Sequence, residues 1–376
     1  MNSISASNGP MKIGIYLPGM SGPGSGVWTR LLGIVEILRL RNDVDLFVAV
    51  DNNKYVDILD IDSDHCLVFP ELRGFRRYFT TSRRVGTFVE KFGLDVVQIE
   101  ALPVPTNHKV PVLLSLHDLR LRYSSFWPHP TFAKLYAKLL LSRAIARTAG
   151  VLALSIWGAT EISKELVVDK EKVHVISPIA PTAAEIPFDF IPPERLQSGE
   201  FIVAVGHLEP RKNLEILVEA TKSQYWPAGV TLVIAGKDQG SLSNLQSLSS
   251  DAPVAVEMLG PVDEATKWWL LKNASVIAVP SLIEGFGIVS LEAFEANTPV
   301  LVADASALPE VVCDSRAVVS PMDSIAWARQ IYELHTDAEL RGEFKLRQER
   351  LLLHYQAQTI GTQLIDVYRK VLSERI

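Results

Sequence analysis

The feature that most constrains this chain is an alternation. Short runs rich in Val, Ile and Leu are each followed by a helix-length amphipathic stretch, and the whole series then starts again. A run that is apolar at successive positions belongs to a strand covered on both faces. Strands separated by helix-length connections pair in parallel. The first series reads MKIGIYLP (11–18), VDLFVAV (44–50), DVVQIE (95–100), VPVLLSLHD (110–118), GVLALS (150–155) and KVHVIS (172–177). The second reads EFIVAVGHL (200–208), VTLVIAGK (230–237), AVEMLG (255–260), ASVIAVPS (274–281), TPVLVAD (298–304) and AVVSP (317–321). The pattern predicts an α/β chain of two Rossmann-like domains in tandem.

The joint between the series carries Pro178, Pro181, Pro187, Pro192 and Pro193, a composition that stops both helix and strand and stiffens a connection. With 376 residues the chain also exceeds what one hydrophobic core organises. The expected division is an N-terminal domain over 1–185, a second over 186–356 and a terminal segment over 357–376. Ligands of open parallel sheets bind beyond the carboxyl ends of the strands, so the site is expected in a central cleft that the two sheets face.

Composition narrows the class. Hydrophobic residues at 48% and charged residues at 21% describe packed globular protein and exclude disorder or coiled coil. Cys66 and Cys313 are too few for a disulfide framework or a four-thiolate zinc site, and the polar start MNSISASNGPMK lacks the apolar core of a signal peptide. These features set a cytoplasmic expectation with no membrane-spanning segment. The net charge of −6 is unevenly placed: residues 73–147 hold 13 Lys and Arg against 4 Asp and Glu. That basic segment carries Phe75, Phe79, Phe126 and Trp127, and its helix-like part includes Lys134, Lys138, Arg143 and Arg147. A solvated surface has this composition, and so has a face that rests on anionic lipid headgroups. Nucleic acid is not expected, because the chain is acidic overall and carries no recognition motif.

The most informative segment is PSLIEGFGIVSLEAFEANTPVLVADASALPEVV, 280–312. It reads as strand end, Gly-containing loop, helix from about Ile288 to Glu295, and strand again. Glu284 then lies in the loop and Glu292 about a turn into the helix, so the two carboxylates address one extended ligand at different points. A carboxylate accepts two hydrogen bonds from vicinal hydroxyls. Gly285 and Gly287 let backbone N–H groups approach an anion at a helix start. In the first domain, Gly22, Gly24 and Gly26 lie between strand and helix, a weak signal that suits a dinucleotide as well as a diphosphate. A dinucleotide reading draws on Asp51, after the second strand, and keeps an NAD(P)-dependent dehydrogenase as an alternative. No triad of metal ligands has a known spacing. Asp60 and Asp62 fall in an acidic stretch, 57–64, that reads as a surface loop.

EGFGIVSLE, followed by ANTPVLVAD and LPEVV, resembles the E-x7-E signature of the retaining GT-B glycosyltransferases of family 4. The resemblance extends over VGHLEPRKN (205–213), VIAGK (233–237) and MLGPV (258–262). It implies a GT-B fold and transfer of a hexose from a nucleotide-diphosphate sugar, without a metal cofactor. It places Glu284 on the donor sugar, the backbone of Phe286, Gly287 and Ile288 near sugar and diphosphate, and Glu292 on the ribose hydroxyls. It assigns the basic pair Arg211 and Lys212 to the departing diphosphate, the glycine loop with Gly24 and Gly26 to the same group, and Leu259 with Gly260 to the base. HDLRLRYSSFWP is similar to the family's H-D segment, which makes His117 a residue that positions the donor sugar rather than a general base. The resemblance further implies that the final helix crosses back to the first domain. One departure is His207, where many members have Arg; Arg211 is expected to substitute for that cation. The EPRKN form resembles bacterial polysaccharide mannosyltransferases. It points to GDP-mannose as donor, with UDP- or dTDP-sugars as alternatives, and to a glycan or lipid-linked acceptor. A catalytically silent sugar-nucleotide binder is the remaining reading.

Overall fold

The computed structural model describes residues 9–20, 26–72, 76–100, 102–106, 108–117, 141–196 and 200–374. The chain forms two compact units. One comprises Met1–Ile179 with Ala357–Ile376, the other Ala180–Gln356. The division falls inside the Pro-rich joint. The two ends of the second unit meet where the Ala180 N–H donates to the Tyr355 carbonyl at 2.9 Å.

The first unit holds seven parallel strands: β1 (Met11–Tyr16), β2 (Val44–Val50), β3 (Cys66–Val68), β4 (Val96–Ile99), β5 (Val112–Leu116), β6 (Gly150–Ala153) and β7 (Val173–Val175), in the order β3-β2-β1-β4-β5-β6-β7. Alternate residues feed opposite faces. Ile13, Ile15, Val48 and Val50 join a core with Trp28, Leu31, Leu364 and Tyr368, while Tyr16, Phe47 and Ala49 join another with Phe88, Val97 and Ile145. Both faces are therefore covered, which is why the runs read as continuously apolar. Gly14 of β1 allows the close approach of Phe88 and Leu94, since a Cβ there would stand 2.5 Å from Leu94 Cδ1.

The second unit holds six parallel strands: β8 (Phe201–Val205), β9 (Thr231–Ala235), β10 (Val256–Gly260), β11 (Val276–Val279), β12 (Val300–Ala303) and β13 (Val318–Val319), in the order β10-β9-β8-β11-β12-β13. In each sheet the chain winds outward in one direction and then returns to the middle to wind in the other. The order reverses between β1 and β4 in the first unit and between β8 and β11 in the second. Such reversals leave a crevice at the carboxyl ends where the neighbouring loops diverge.

Local differences from the sequence reading lie at one edge. The acidic stretch 57–64, read as a loop, overlaps the end of the helix Lys54–Leu59 and the start of a 3₁₀ turn at Ser63–His65, which the short edge strand β3 follows. Three residues are too few to show a pattern, and pairing with β2 makes them a strand. Asp60 takes a left-handed conformation that ends the helix. Among the described residues no helix is long and apolar enough to cross a membrane.

Candidate functional site

At the reversal point of the second sheet, the loop after β8 and the loop after β11 are tied together by the backbone. Leu282 N–H donates to the Arg211 carbonyl at 2.8 Å, and Asn213 Nδ2 donates to the carbonyls of Pro280 at 3.2 Å and Pro321 at 2.9 Å. A 3₁₀ turn at Pro210–Lys212 ends in Asn213, held at φ +52°. Gly236 lets the backbone of the neighbouring loop lie against it, since a Cβ there would meet the Gly206 oxygen at 1.8 Å. These contacts bring residues more than seventy positions apart into one cluster.

The cluster has two cations and two carboxylates. Glu284 lies between Arg211, with Nη1 3.0 Å from Oε2, and Lys212, with Nζ 2.5 Å from Oε1. Arg211 also donates to the Ile283 carbonyl at 2.9 Å and places Nη2 2.6 Å from Glu209 Oε1. The Glu284 backbone N–H donates to Ser306 Oγ at 2.9 Å. Burial pushes the Glu284 carboxyl up, but Lys212 and Arg211 outweigh it and hold the group down at about 2. His207, the departure from the family pattern, is half-buried on the same loop; burial lowers its pKa, and the nearby Lys212, Arg211 and Lys237 lower it further against the pull of Glu209. Arg211 is itself buried, with its guanidinium turned to the carboxylates.

Glu292 lies on the helix Ile288–Glu295 that follows the same loop, buried and 2.9 Å from Lys267 Nζ. Lys267 also reaches Glu264 at 2.8 Å; burial lowers its pKa, and the two carboxylates outweigh that and raise it. Gly287 caps the helix at φ +95°, a conformation that favours glycine, and a Cβ there would stand 2.5 Å from Leu308 Cδ2. Phe286 turns its ring into the unit, edge-on to Tyr355 at 5.5 Å, while Ile288 opens the helix. Leu259 occupies a bulge: Met258 pairs with Ile234 and Gly260 with Ala235, which leaves Leu259 outside the ladder. The structure thus places Glu284, Arg211 and Lys212 together, and sets Glu292 in a separate ion pair.

In the first unit, His117 directly follows β5, and its Nε2 lies 3.2 Å from Glu100 Oε2. Gly26 is the first residue of the helix Gly26–Arg39. Gly22, Gly24, Asp118 and the segment 118–140 lie outside the described residues. Asp51 accepts the Gly19 backbone N–H at 2.7 Å, so the carboxylate that a dinucleotide reading needs is committed to the loop after β1. Of the basic segment, Arg77 donates to the Leu102 carbonyl and Arg84 to that of Pro70, both at 2.6 Å, whereas Arg76, Phe79 and Arg83 are exposed.

Sequence reasoning missed Glu209, Lys267 and Ser306. Glu209 adjoins the basic pair and was recoverable from the charge of its neighbours. Lys267 and Ser306 carry no local signal, because each is defined by a partner more than twenty residues away. A cavity of about 230 Å³, lined by Glu200, Lys272, Ser275, His335, Arg341 and Lys345, opens where residues precede β8, β11 and β12. It is therefore at the other end of the strands from the cluster.

A model of the glycosyl transferases group 1 matches residues 188–350, and a model of glycosyltransferase family 4 matches residues 24–183. The chain is 25% identical over 354 residues to the O-antigen chain mannosyltransferase RfbU of Salmonella typhimurium, covering 91% of this chain and 96% of that protein. It is 24% identical over 385 residues to the phosphatidyl-myo-inositol mannosyltransferase of Mycolicibacterium smegmatis, covering 96% and 94%. The fold matches the crystal structure of Anabaena HepE in complex with UDP-glucose, at a TM-score of 0.72 and 19% identity over 96% of this chain and 100% of that one. Two family models in tandem, on two parallel α/β units, show that this chain belongs to the GT-B glycosyltransferases of family 4.

Proposed function

We propose that this glycosyltransferase is a retaining, metal-independent mannosyltransferase that moves mannose from GDP-mannose to a glycan or lipid-linked acceptor during cell-surface polysaccharide or glycolipid synthesis. The observation that carries the reading is the Glu284–Lys212–Arg211 cluster at the reversal point of the second sheet. Charge builds on the leaving phosphate as the anomeric bond breaks, and a preorganised cation stabilises that charge more in the transition state than in the ground state. In this reading Lys212 meets the diphosphate and Arg211 backs it while holding Glu284 by a second cationic contact. Glu284 takes donor-sugar hydroxyls, with the backbone of Phe286, Gly287 and Ile288 beside sugar and diphosphate. Glu292, held by Lys267, takes the ribose. The bulge at Leu259 meets the base, Gly24 and Gly26 serve the diphosphate, and His117 positions the sugar.

Mannose is supported by the two mannosyltransferases with which the chain aligns over nearly its full length. A UDP-sugar is the second reading, favoured by the UDP-glucose held in the HepE structure. A thermal-shift panel of GDP, UDP, dTDP and ADP separates them, since a ligand at 100 times its dissociation constant adds about 2.7 kcal/mol. GDP is expected to give the largest shift; a shift with UDP alone moves the donor to the second reading, and no shift with any diphosphate removes the nucleotide-sugar site. Proton NMR of the first-formed product is expected to show the donor's anomeric configuration, and EDTA is expected to leave turnover unchanged. Inverted product excludes retention, and loss of turnover restored by Mg²⁺ or Mn²⁺ excludes metal independence.

The exposed stripe Arg76, Phe79 and Arg83 on the helix Arg76–Phe92 supports peripheral contact with anionic membrane, at about 1 kcal/mol per cation near the surface. Co-sedimentation with acidic liposomes at low salt is expected, and equal recovery in the supernatant with and without them removes this contact.

A further inference from the structure

The first unit contains a buried polar cluster of its own. Glu100 directly follows β4, at the reversal point of that sheet, and is buried with four groups on its carboxylate. Oε1 accepts from Ser115 Oγ at 2.7 Å and from Gln98 Nε2. Oε2 accepts from Arg30 Nη1 at 3.1 Å and faces His117 Nε2 at 3.2 Å. Gln98 Oε1 in turn accepts from the Tyr368 hydroxyl at 2.5 Å, and Tyr368 belongs to the helix Ala357–Ser373, 270 positions along the chain.

We propose that Glu100 is the positioning residue of His117: its carboxylate keeps the proton on Nε2 and aims the ring, and Tyr368 fixes Glu100 through Gln98. This rests on the reading that His117 positions the donor sugar. An ionised carboxylate only accepts, so the ring nitrogen beside it must carry the proton. In the neutral ring the acceptor is then Nδ1; both ring nitrogens are enclosed without a full hydrogen bond among the described residues, and Nε2 is the one that stands 3.2 Å from Glu100 Oε2. Burial pushes the Glu100 carboxyl up, while Arg30 and His117 outweigh this and hold it ionised. Arg30 balances the charge, so Glu100 is not a lone buried anion. The two donors on Oε1 set the rotation of the carboxylate, and that rotation sets where Oε2 meets the ring. Gln98 cannot turn its amide over without setting its carbonyl oxygen against the Glu100 carboxylate, two acceptors face to face.

The test uses the full-length chain and reads the imidazole ¹⁵N resonances of His117, assigned by their disappearance in His117→Ala. At neutral pH the parent is expected to show the Nε2–H tautomer with an unprotonated Nδ1. In Glu100→Gln the resonances are expected to move towards the average of exchanging tautomers. An Nδ1–H tautomer in the parent, or ring resonances unchanged in Glu100→Gln, overturns the proposal. In turnover, Glu100→Gln is expected to lower kcat by about 10- to 100-fold with the KM for the nucleotide sugar within about 2-fold. In a His117→Ala background the same change should cost less than about 2-fold more, and fully additive losses would show a structural role instead. Tyr368→Phe keeps the buried ring and removes one hydroxyl, so it serves if Glu100→Gln does not fold; a smaller kcat loss with the same tautomer shift is expected, and ring resonances identical to the parent count against the chain from Tyr368. If His117→Ala turns over normally, the role of His117 at the sugar fails, while the ring resonances still decide whether Glu100 sets its tautomer.

Discussion

A carboxylate enclosed between two cations gives Glu284 a thermodynamic role beside its chemical one. Its folded pKa of about 2 lies below the ordinary 4.5, so the stability it contributes is present above pH 4.5 and is lost as the pH falls from there towards 2. Glu284→Gln removes the charge and leaves Lys212 and Arg211 underpaired, an expected cost of about 3 kcal/mol at neutral pH. The gap between variant and parent should close between pH 4.5 and 2, and denaturant unfolding along that range measures it; a gap that stays constant would deny Glu284 its low pKa. Lys212→Ala should cut turnover by on the order of 100-fold, as loss of one preorganised donor does. Initial rates at saturating donor check this, and normal turnover excludes Lys212 from the leaving-group side. At this scale the sequence was partly legible. Glu284, Glu292, Arg211 and Lys212 stand out through the family resemblance of the segments that carry them. Lys267 and Glu100 do not, because what defines each is a partner brought in by the fold.

Among the elements, the loops and helix starts around the cluster depend on positions where a side chain does not fit. Gly287 combines a left-handed φ of +95° with a would-be Cβ 2.5 Å from Leu308. Gly287→Ala is expected to destabilise by about 1–3 kcal/mol from backbone strain, and to move Phe286 and Ile288 with it. Thermal unfolding reads the first effect, and loss of the nucleotide-dependent thermal shift reads the second. Gly361 tests a competition of magnitudes. A Gly to Ala change inside a helix normally gains up to about 1 kcal/mol, but a Cβ here would lie 2.4 Å from Ile37 Cγ2, a branched methyl with little freedom to withdraw. Gly361→Ala is therefore expected to lower Tm, and a rise in Tm would show that the helices part easily. All strands but β3 were legible from their apolar runs, and most helices only as the stretches between them. The helix Lys54–Leu59 and the edge strand β3 were not, since six and three residues are too short for a period to emerge.

For the molecule as a whole, the first unit is assembled from both ends of the chain and the second from one continuous stretch. Ile360, Leu364, Ile365, Tyr368 and Val371 are buried in the first unit's core. At about 1.5–3 kcal/mol for each buried side chain, their loss approaches the 5–15 kcal/mol that stabilises a whole domain. A chain ending at Gln356 is expected to lose amide protection throughout β1, β2 and β4–β6 while β8, β9, β11 and β12 stay protected. Hydrogen exchange resolves this strand by strand, and protection retained in both sheets would mean that the last helix is dispensable. By itself the amino-acid order determined two parallel sheets, the Pro-rich joint and the carboxylates and cations of the E-x7-E and EPRKN segments, because period, breakers and spacing are local properties that survive without a fold. Only the tertiary structure decided that Glu284 lies between Arg211 and Lys212, that Lys267 holds Glu292, and that Tyr368 reaches Gln98 beside Glu100 and His117. Those pairings join residues 25 to 270 positions apart, and their geometry comes from strand order and loop closure, which no local pattern encodes.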